Sequence, residues 1–181
     1  MQISKNNTMA FIIDYQERLV PVMHEREKLI HNSLKLIEGL ERLEIPLLIT
    51  QQYTKGLGMT LPEVMKVSKV QEYIEKNTFS CFKSLEVVNK ILAMSEVKNI
   101  ILCGIEAHIC VLQTTLDLLK NAYQVILVED CISSRQLNDK VVAMRRMEQA
   151  GASVTTHESI LYEIMESSQA PQFKDISKLI K

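Results

Sequence analysis

The chain has 181 residues, 46% of them hydrophobic and 24% charged, with 22 acidic against 21 basic side chains and a formal net charge of -1. Length and composition are those of one globular domain spanning 1–181. The balanced charge weighs against a nucleic-acid partner held by bulk positive potential, and the absence of Trp with 5% aromatics weighs against a stacking platform for single strands.

No apolar run reaches the about 18 residues of a membrane span, so no membrane partner is expected. The first apolar run meets Asp14 at once and lacks a cleavage site, which is not a signal peptide. Cysteines stand at 81, 103, 110 and 131 without a C-x-x-C pair. With no export signal they read as reduced thiols of a cytoplasmic protein. Histidines 24, 31, 108 and 157 are scattered, so the reading is no ligand cluster and no metal.

Met9 to Asp14 is a short apolar run without alternation, ended by an acid, and predicts a buried parallel strand. Residues 26–43 carry Leu29, Ile30, Leu34, Ile37, Leu40 and Leu43 on one helical stripe. Pro46 to Thr50 is a second strand, and 51–62, with two glycines and a proline, a loop at its carboxyl end. Residues 63–76 are ambiguous, with helical turns and room for a short strand. A helix over 84–94 leads to a third strand, Val97 to Cys103, ended by Gly104. A long helix fits 107–120, with Val111, Thr115, Leu118 and Leu119 inward. Val125 to Val128 is a strand ended by Glu129 and Asp130. Helix 137–149, with Gly151 as its cap, the short strand Ala152 to Thr155, and a helix beginning near Ile160 complete the chain.

This alternation predicts a three-layer α/β domain with a mostly parallel, Rossmann-like sheet of about six strands. Ligands of such sheets bind at the carboxyl ends of the strands. The residues just after each apolar run therefore carry the information: Asp14, Gln51 and Gln52, Gly104 to Cys110, and Asp130 to Arg135.

Asp14 reads as a carboxylate at the mouth of the sheet, or as a helix cap or salt-bridge partner. Cys110 falls in the first turn of the helix after Gly104. There the unpaired amides and dipole end favour thiolate, whereas a small core residue is the common fate of a free cysteine. Cys103 reads as core; Cys81 and Cys131 as core or pocket wall. Lys76 gains interest only if its segment returns to the crevice. No Walker motif or dinucleotide fingerprint is present.

The segments FIIDYQERL, TQQYTKGLG, KNTFSCF, LCGIEAHICVLQTTLDLLKNAYQVILVEDCISSR, GASVTTHESILYEIM and PQFKDISKLIK occur in this order from about residue 9 to the C-terminus. In this the chain resembles the isochorismatase-like cysteine hydrolases, and most the isochorismatase domain-containing proteins among them. The resemblance implies a catalytic triad of Asp14, Lys76 and Cys110, a cis peptide between Ile105 and Glu106, and an oxyanion hole from the amides of Glu106 and Cys110. It implies hydrolysis of a small amide or ureide C–N bond through a thioester.

The nicotinamidase branch of the family binds a metal after the second strand. Here that place reads Thr50-Gln51-Gln52-Tyr53-Thr54, so no metal and no other cofactor is expected. Family members commonly self-associate, and a homo-oligomer is expected, with a small molecule as substrate. The alternative is a weak or inactive member acting as a binding or scaffold partner. Gln52, Tyr53, Phe79, His108 and Arg135 are the substrate-binding candidates, with Gln51, Ser133 and Ser134 as further pocket positions. Arg135 suits a carboxylate, or a salt bridge to Asp130 or Asp139.

Overall fold

The structure, a computed structural model, describes residues 3–181. Six strands form one sheet in the order β3-β2-β1-β4-β5-β6, and every neighbouring pair is parallel. The strands are β1 (Thr8–Ile13), β2 (Leu47–Gln52), β3 (Ile74–Lys76), β4 (Asn99–Ile105), β5 (Gln124–Ser133) and β6 (Ser153–Thr155). Both β1 and β4 are buried along their whole length, which is why neither alternates in sequence.

The two faces of β1 divide the core. Ala10 and Ile12 join a cluster with Leu36, Ile37 and Leu40 of α1 (Arg26–Arg42) and Leu161 of α7 (His157–Met165). Met9, Phe11 and Ile13 join another with Val87 and Ile91 of α4 (Leu85–Leu92), Leu118 of α5 (Leu112–Lys120) and Met147 of α6 (Leu137–Gln149). Full burial of each such side chain contributes roughly 1.5–3 kcal/mol. Two short helices, α2 (Thr54–Leu57) and α3 (Pro62–Ser68), occupy stretches read as loop and as ambiguous. A last helix, α8 (Phe173–Ile180), docks through Ile176 on the α1 side.

Two boundaries depart from the sequence reading. Strand β5 does not stop at Glu129: the register shifts between Leu102 and Gly104, and pairing resumes as Gly104 with Ile132 and Ile105 with Ser133. The bulge lets two acids sit half-exposed inside a strand. The helix after β4 opens with a π-turn, Ala107–Val111, before α5 begins.

The order of strands reverses direction between β1 and β4. In doubly wound sheets that switch point is where a crevice opens. Gly104 makes the close approach there: its φ is +138°, and a Cβ would lie 2.3 Å from the carbonyl oxygen of Ile13.

Candidate active site

Asp14 is the first residue after β1 and adopts a left-handed backbone, φ 56°. Few residues tolerate this; Asp does, through its short polar side chain. Its N–H still donates to the carbonyl of Thr50 (3.2 Å), so the side chain lies over the ends of β1 and β2, fully buried. The Thr50 hydroxyl donates to Asp14 Oδ1 at 2.7 Å.

Lys76 is the last residue of β3 and pairs in register with Gln52 of β2. Its ammonium donates to Asp14 Oδ2 (2.6 Å), to Gln52 Oε1 (2.8 Å) and to Cys110 Sγ (3.7 Å). Three acceptors meet its three N–H groups. Burial works against the ammonium, but Asp14 and the thiols of Cys81 and Cys110 outweigh it and hold the lysine above its ordinary value.

Cys110 sits on the π-turn, 6% exposed. Burial first, then the negative Asp14, push the thiol above its ordinary value; Lys76 pulls the other way and is outweighed. Both burial and Asp14 thus favour the protonated sulfur.

Three neighbours of the cluster, Gln16, Thr50 and Cys81, were not among the catalytic or substrate-binding candidates. Gln16 is fully buried, and its amide works like a strand mate for Gln52: it accepts from Gln52 N–H (2.7 Å) and donates to Gln52 C=O (2.9 Å) and Gly58 C=O (2.7 Å). Thr50 reads as strand, yet its hydroxyl orients Asp14. Cys81 lies on the far side of Thr50, its sulfur 3.8 Å from the hydroxyl, and its N–H donates to Thr114 of α5 (2.9 Å). The polar residues at 14+2 and at the end of β2 were the available clue.

The remaining candidates divide. Gln52 joins the cluster directly. The Ile105–Glu106 peptide is cis. His108 binds Ser134 Oγ through Nδ1 (2.9 Å), and Ser133 donates to the carbonyl of His24 (2.8 Å). Tyr53 and Phe79 follow β2 and β3 and are each 50% exposed; the Tyr53 N–H donates to the carbonyl of Lys76 (3.0 Å). Gln51 is committed to Thr60 and Thr54. Arg135 pairs with neither Asp130 nor Asp139. Its Nε meets the buried carboxylate of Glu106 at 3.0 Å, which also accepts the Arg135 N–H (3.2 Å), because the β5 extension carries Arg135 to the end of β4.

The end of β2 offers the amides of Gln52 and Gln51, whose oxygens already accept from Lys76 and Thr54. That donor set does not fit a metal ion of the nicotinamidase kind. One histidine is less isolated than the sequence suggested: His157, Asp130 and Cys131 come together where α7 starts beside β5.

A buried acid, amine and thiol thus meet at the switch point of a six-stranded parallel sheet in an α/β protein. The chain belongs to the isochorismatase family: the Isochorismatase domain matches residues 8–159. It is 34% identical to mouse isochorismatase domain-containing protein 2A over 99% of this chain and 85% of that protein. Among solved structures it resembles the MAR1 ribonuclease of Caenorhabditis elegans, with 38% identity, a TM-score of 0.93, and 99% and 92% of the two chains covered. It also resembles the YcaC gene product of Escherichia coli, described as an octameric hydrolase of unknown specificity, with 21% identity, a TM-score of 0.93, and 99% and 89% covered.

Proposed function

We propose that the protein is a metal-independent cysteine hydrolase that cleaves a small amide or ureide C–N bond, with Asp14, Lys76 and Cys110 as its catalytic residues. The observation that carries this reading is the shared ammonium: Lys76 bonds both Asp14 and Cys110, at 2.6 and 3.7 Å, in a buried site. As Cys110 Sγ attacks the carbonyl carbon, its proton passes to Asp14. The negative oxygen that forms is met by the backbone N–H groups of Glu106 and Cys110. The C–N bond then breaks, and Asp14 returns the proton to the leaving nitrogen. Water attacks the thioester, gives a proton to Asp14, and releases the acid and the thiol. Lys76 offsets the negative charge that moves between carboxylate and sulfur. Gln52 holds that ammonium in place, and Gln16 holds Gln52.

The octameric relative and the exposed Tyr53 and Phe79 near the ends of β2 and β3 support a homo-oligomer as the working form. The relative named a ribonuclease makes RNA the competing substrate. A net charge of -1 and a nucleophile exposed by only 6% favour the small molecule.

The test is a panel of small amides and ureides, with a short RNA beside them, against the parent, Cys110→Ser and Asp14→Asn. The expected result is turnover of an amide or ureide, an acyl adduct on Cys110 seen by mass spectrometry, and a loss of about 10²–10⁴-fold in Asp14→Asn. RNA cleavage with every amide inert would replace this reading with the ribonuclease one. An inert panel with no adduct would leave the binding or scaffold role in its place.

A further inference from the structure

On the α1 side of the sheet, across from Cys110, a second group of donor atoms converges. Asp130 and Cys131 lie in the bulged half of β5, and His157 is the first residue of α7. His157 Nδ1 is 2.6 Å from Asp130 Oδ2, Cys131 Sγ is 3.8 Å from Asp130 Oδ1, and the three donor atoms all lie within 4.8 Å of one another. The His157 N–H also donates to Asp130 Oδ1 (2.9 Å), which fixes the carboxylate at the start of the helix. Cys131 is fully buried, while Asp130 and His157 side chains are 17% and 14% exposed.

We propose that Asp130, Cys131 and His157 form a zinc site, closed by one water as the fourth ligand. One nitrogen, one carboxylate oxygen and one sulfur are the donor set zinc takes in tetrahedral sites. Bond lengths of about 2.0–2.3 Å place neighbouring ligand atoms roughly 3.3–3.8 Å apart in a tetrahedron. The sulfur already stands at that spacing from Oδ1 of the carboxylate, while the histidine nitrogen meets its other oxygen, Oδ2. The nitrogen and the carboxylate stand at hydrogen-bond distance, and they part by less than about 1 Å when a metal ion replaces the proton between them. The exchange balances. One Zn²⁺ enters and the Cys131 thiol proton leaves; the single ring proton of the neutral His157 imidazole resides on Nε2, freeing Nδ1; the thiolate, the carboxylate and the metal sum to zero charge.

Entry and support are both present. Asp130 lines a surface cleft of about 150 Å³ with His24, Glu25, Lys28, Glu129 and Lys140. Its two cations are engaged, Lys140 with Glu129 at 2.9 Å and Lys28 with Glu25 at 4.0 Å. Behind the site the Tyr15 hydroxyl donates to the carbonyl of Cys131 (2.5 Å) and meets Ser33 Oγ (2.7 Å), which holds the strand against α1. Such outer partners orient ligands. The metal would pin α7 to β5 and would act independently of the proposed hydrolysis, since Cys131 and Cys110 belong to cores on opposite faces of the sheet.

The test is titration of chelator-treated protein with Co²⁺, followed by displacement with Zn²⁺. The expected result is one Co²⁺ per chain, with a thiolate charge-transfer band and the strong visible bands of tetrahedral cobalt, both erased by Zn²⁺. Cys131→Ser and His157→Gln are expected to weaken binding at least about tenfold. Cys110→Ser, which removes the other candidate thiol, is expected to leave the spectrum unchanged. Circular dichroism establishes that each variant is folded; if Cys131→Ser is not, Asp130→Asn takes its place. Absence of the band, its survival in Cys131→Ser, or its loss in Cys110→Ser overturns the proposal.

Discussion

Raising the pH tests the burial of the cysteines directly. Cys81 and Cys103 are fully buried and Cys110 is 6% exposed. Burial lifts Cys81 from 9.0 to about 11 and Cys103 from 9.0 to about 12, and burial with Asp14 lifts Cys110 from the same starting value. All three shifts are upward. The folded chain therefore keeps protons that the unfolded chain releases, and the stability this confers is present below about pH 9 and lost as pH rises through the folded values. Each thiol contributes about 1.4 kcal/mol per pH unit where only the unfolded form is ionised. Cys131, fully buried, is raised by burial as well, and between about pH 10 and 11 the four thiols together remove up to about 5–6 kcal/mol per unit, against a total stability of about 5–15 kcal/mol. Lys76, also raised, adds loss in the same direction at higher pH. Urea unfolding at stepped pH, with reductant and chelator present, reads the slope, and ultraviolet thiolate absorbance reads the native state. The expected result is a steep alkaline loss of stability with no native thiolate at pH 9, a slope made shallower by Cys81→Ala or Cys103→Ala. Native thiolate absorbance at pH 9, or a flat stability between about pH 9 and 10.5, refutes the reasoning.

Lys76→Met strands the Asp14 carboxylate in a buried site and is expected to cost about 3–5 kcal/mol, a fall in Tm of roughly 6–20 °C. Adding Asp14→Asn removes the stranded charge, so the double variant should regain most of that loss in thermal melts; strictly additive losses would mean the pair is not coupled. Gly104→Ala is expected to cost more than about 4 kcal/mol, because the new Cβ meets the Ile13 backbone at 2.3 Å and β1 and β4 must separate. Gly151→Ala, at φ +109° with nothing within 4 Å of its Cβ, should cost only about 1 kcal/mol in the same unfolding assay.

The central strands were legible because they are buried on both faces: β1, β2 and β4 contain the apolar runs Met9 to Ile13, Leu47 to Ile49 and Ile100 to Cys103. The edges were not. Strand β3 has three residues and ends in a buried lysine, so no run announces it. Glu129 and Asp130 imitate a strand end, and only the bulge opposite Cys103 shows why the chain keeps pairing. Helix α8 has a short apolar face in a charged stretch, too brief to stand out. Asp14 and Cys110 could be picked out as residues that follow a buried strand. Lys76 could not, since its value depends on β3 returning beside β2, and it came from the resemblance. Asp130 and His157 are 27 residues apart and meet only through the β5–β6 crossover.

The elevated thiol changes what reactivity at Cys110 should look like. Lys76 already spends its three N–H groups, and Thr50 occupies Asp14 Oδ1, so the thiol proton is kept by the charge of Asp14 rather than lost to solvent. A freely ionised nucleophile would label quickly with any electrophile. A thiol of this kind reacts when attack and proton transfer occur together, on a substrate held in place. Asp14→Asn therefore has opposite consequences for two assays. It removes the negative charge that, after burial, most favours the protonated sulfur, and leaves Lys76 to favour thiolate. Alkylation by iodoacetamide at about pH 8 should speed up, while turnover of a substrate should fall by about 10²–10⁴-fold for want of a base. Alkylation that slows in Asp14→Asn, in a protein shown to be folded, would mean that the carboxylate does not hold the thiol proton, and the acid–base role assigned to it would fail with it.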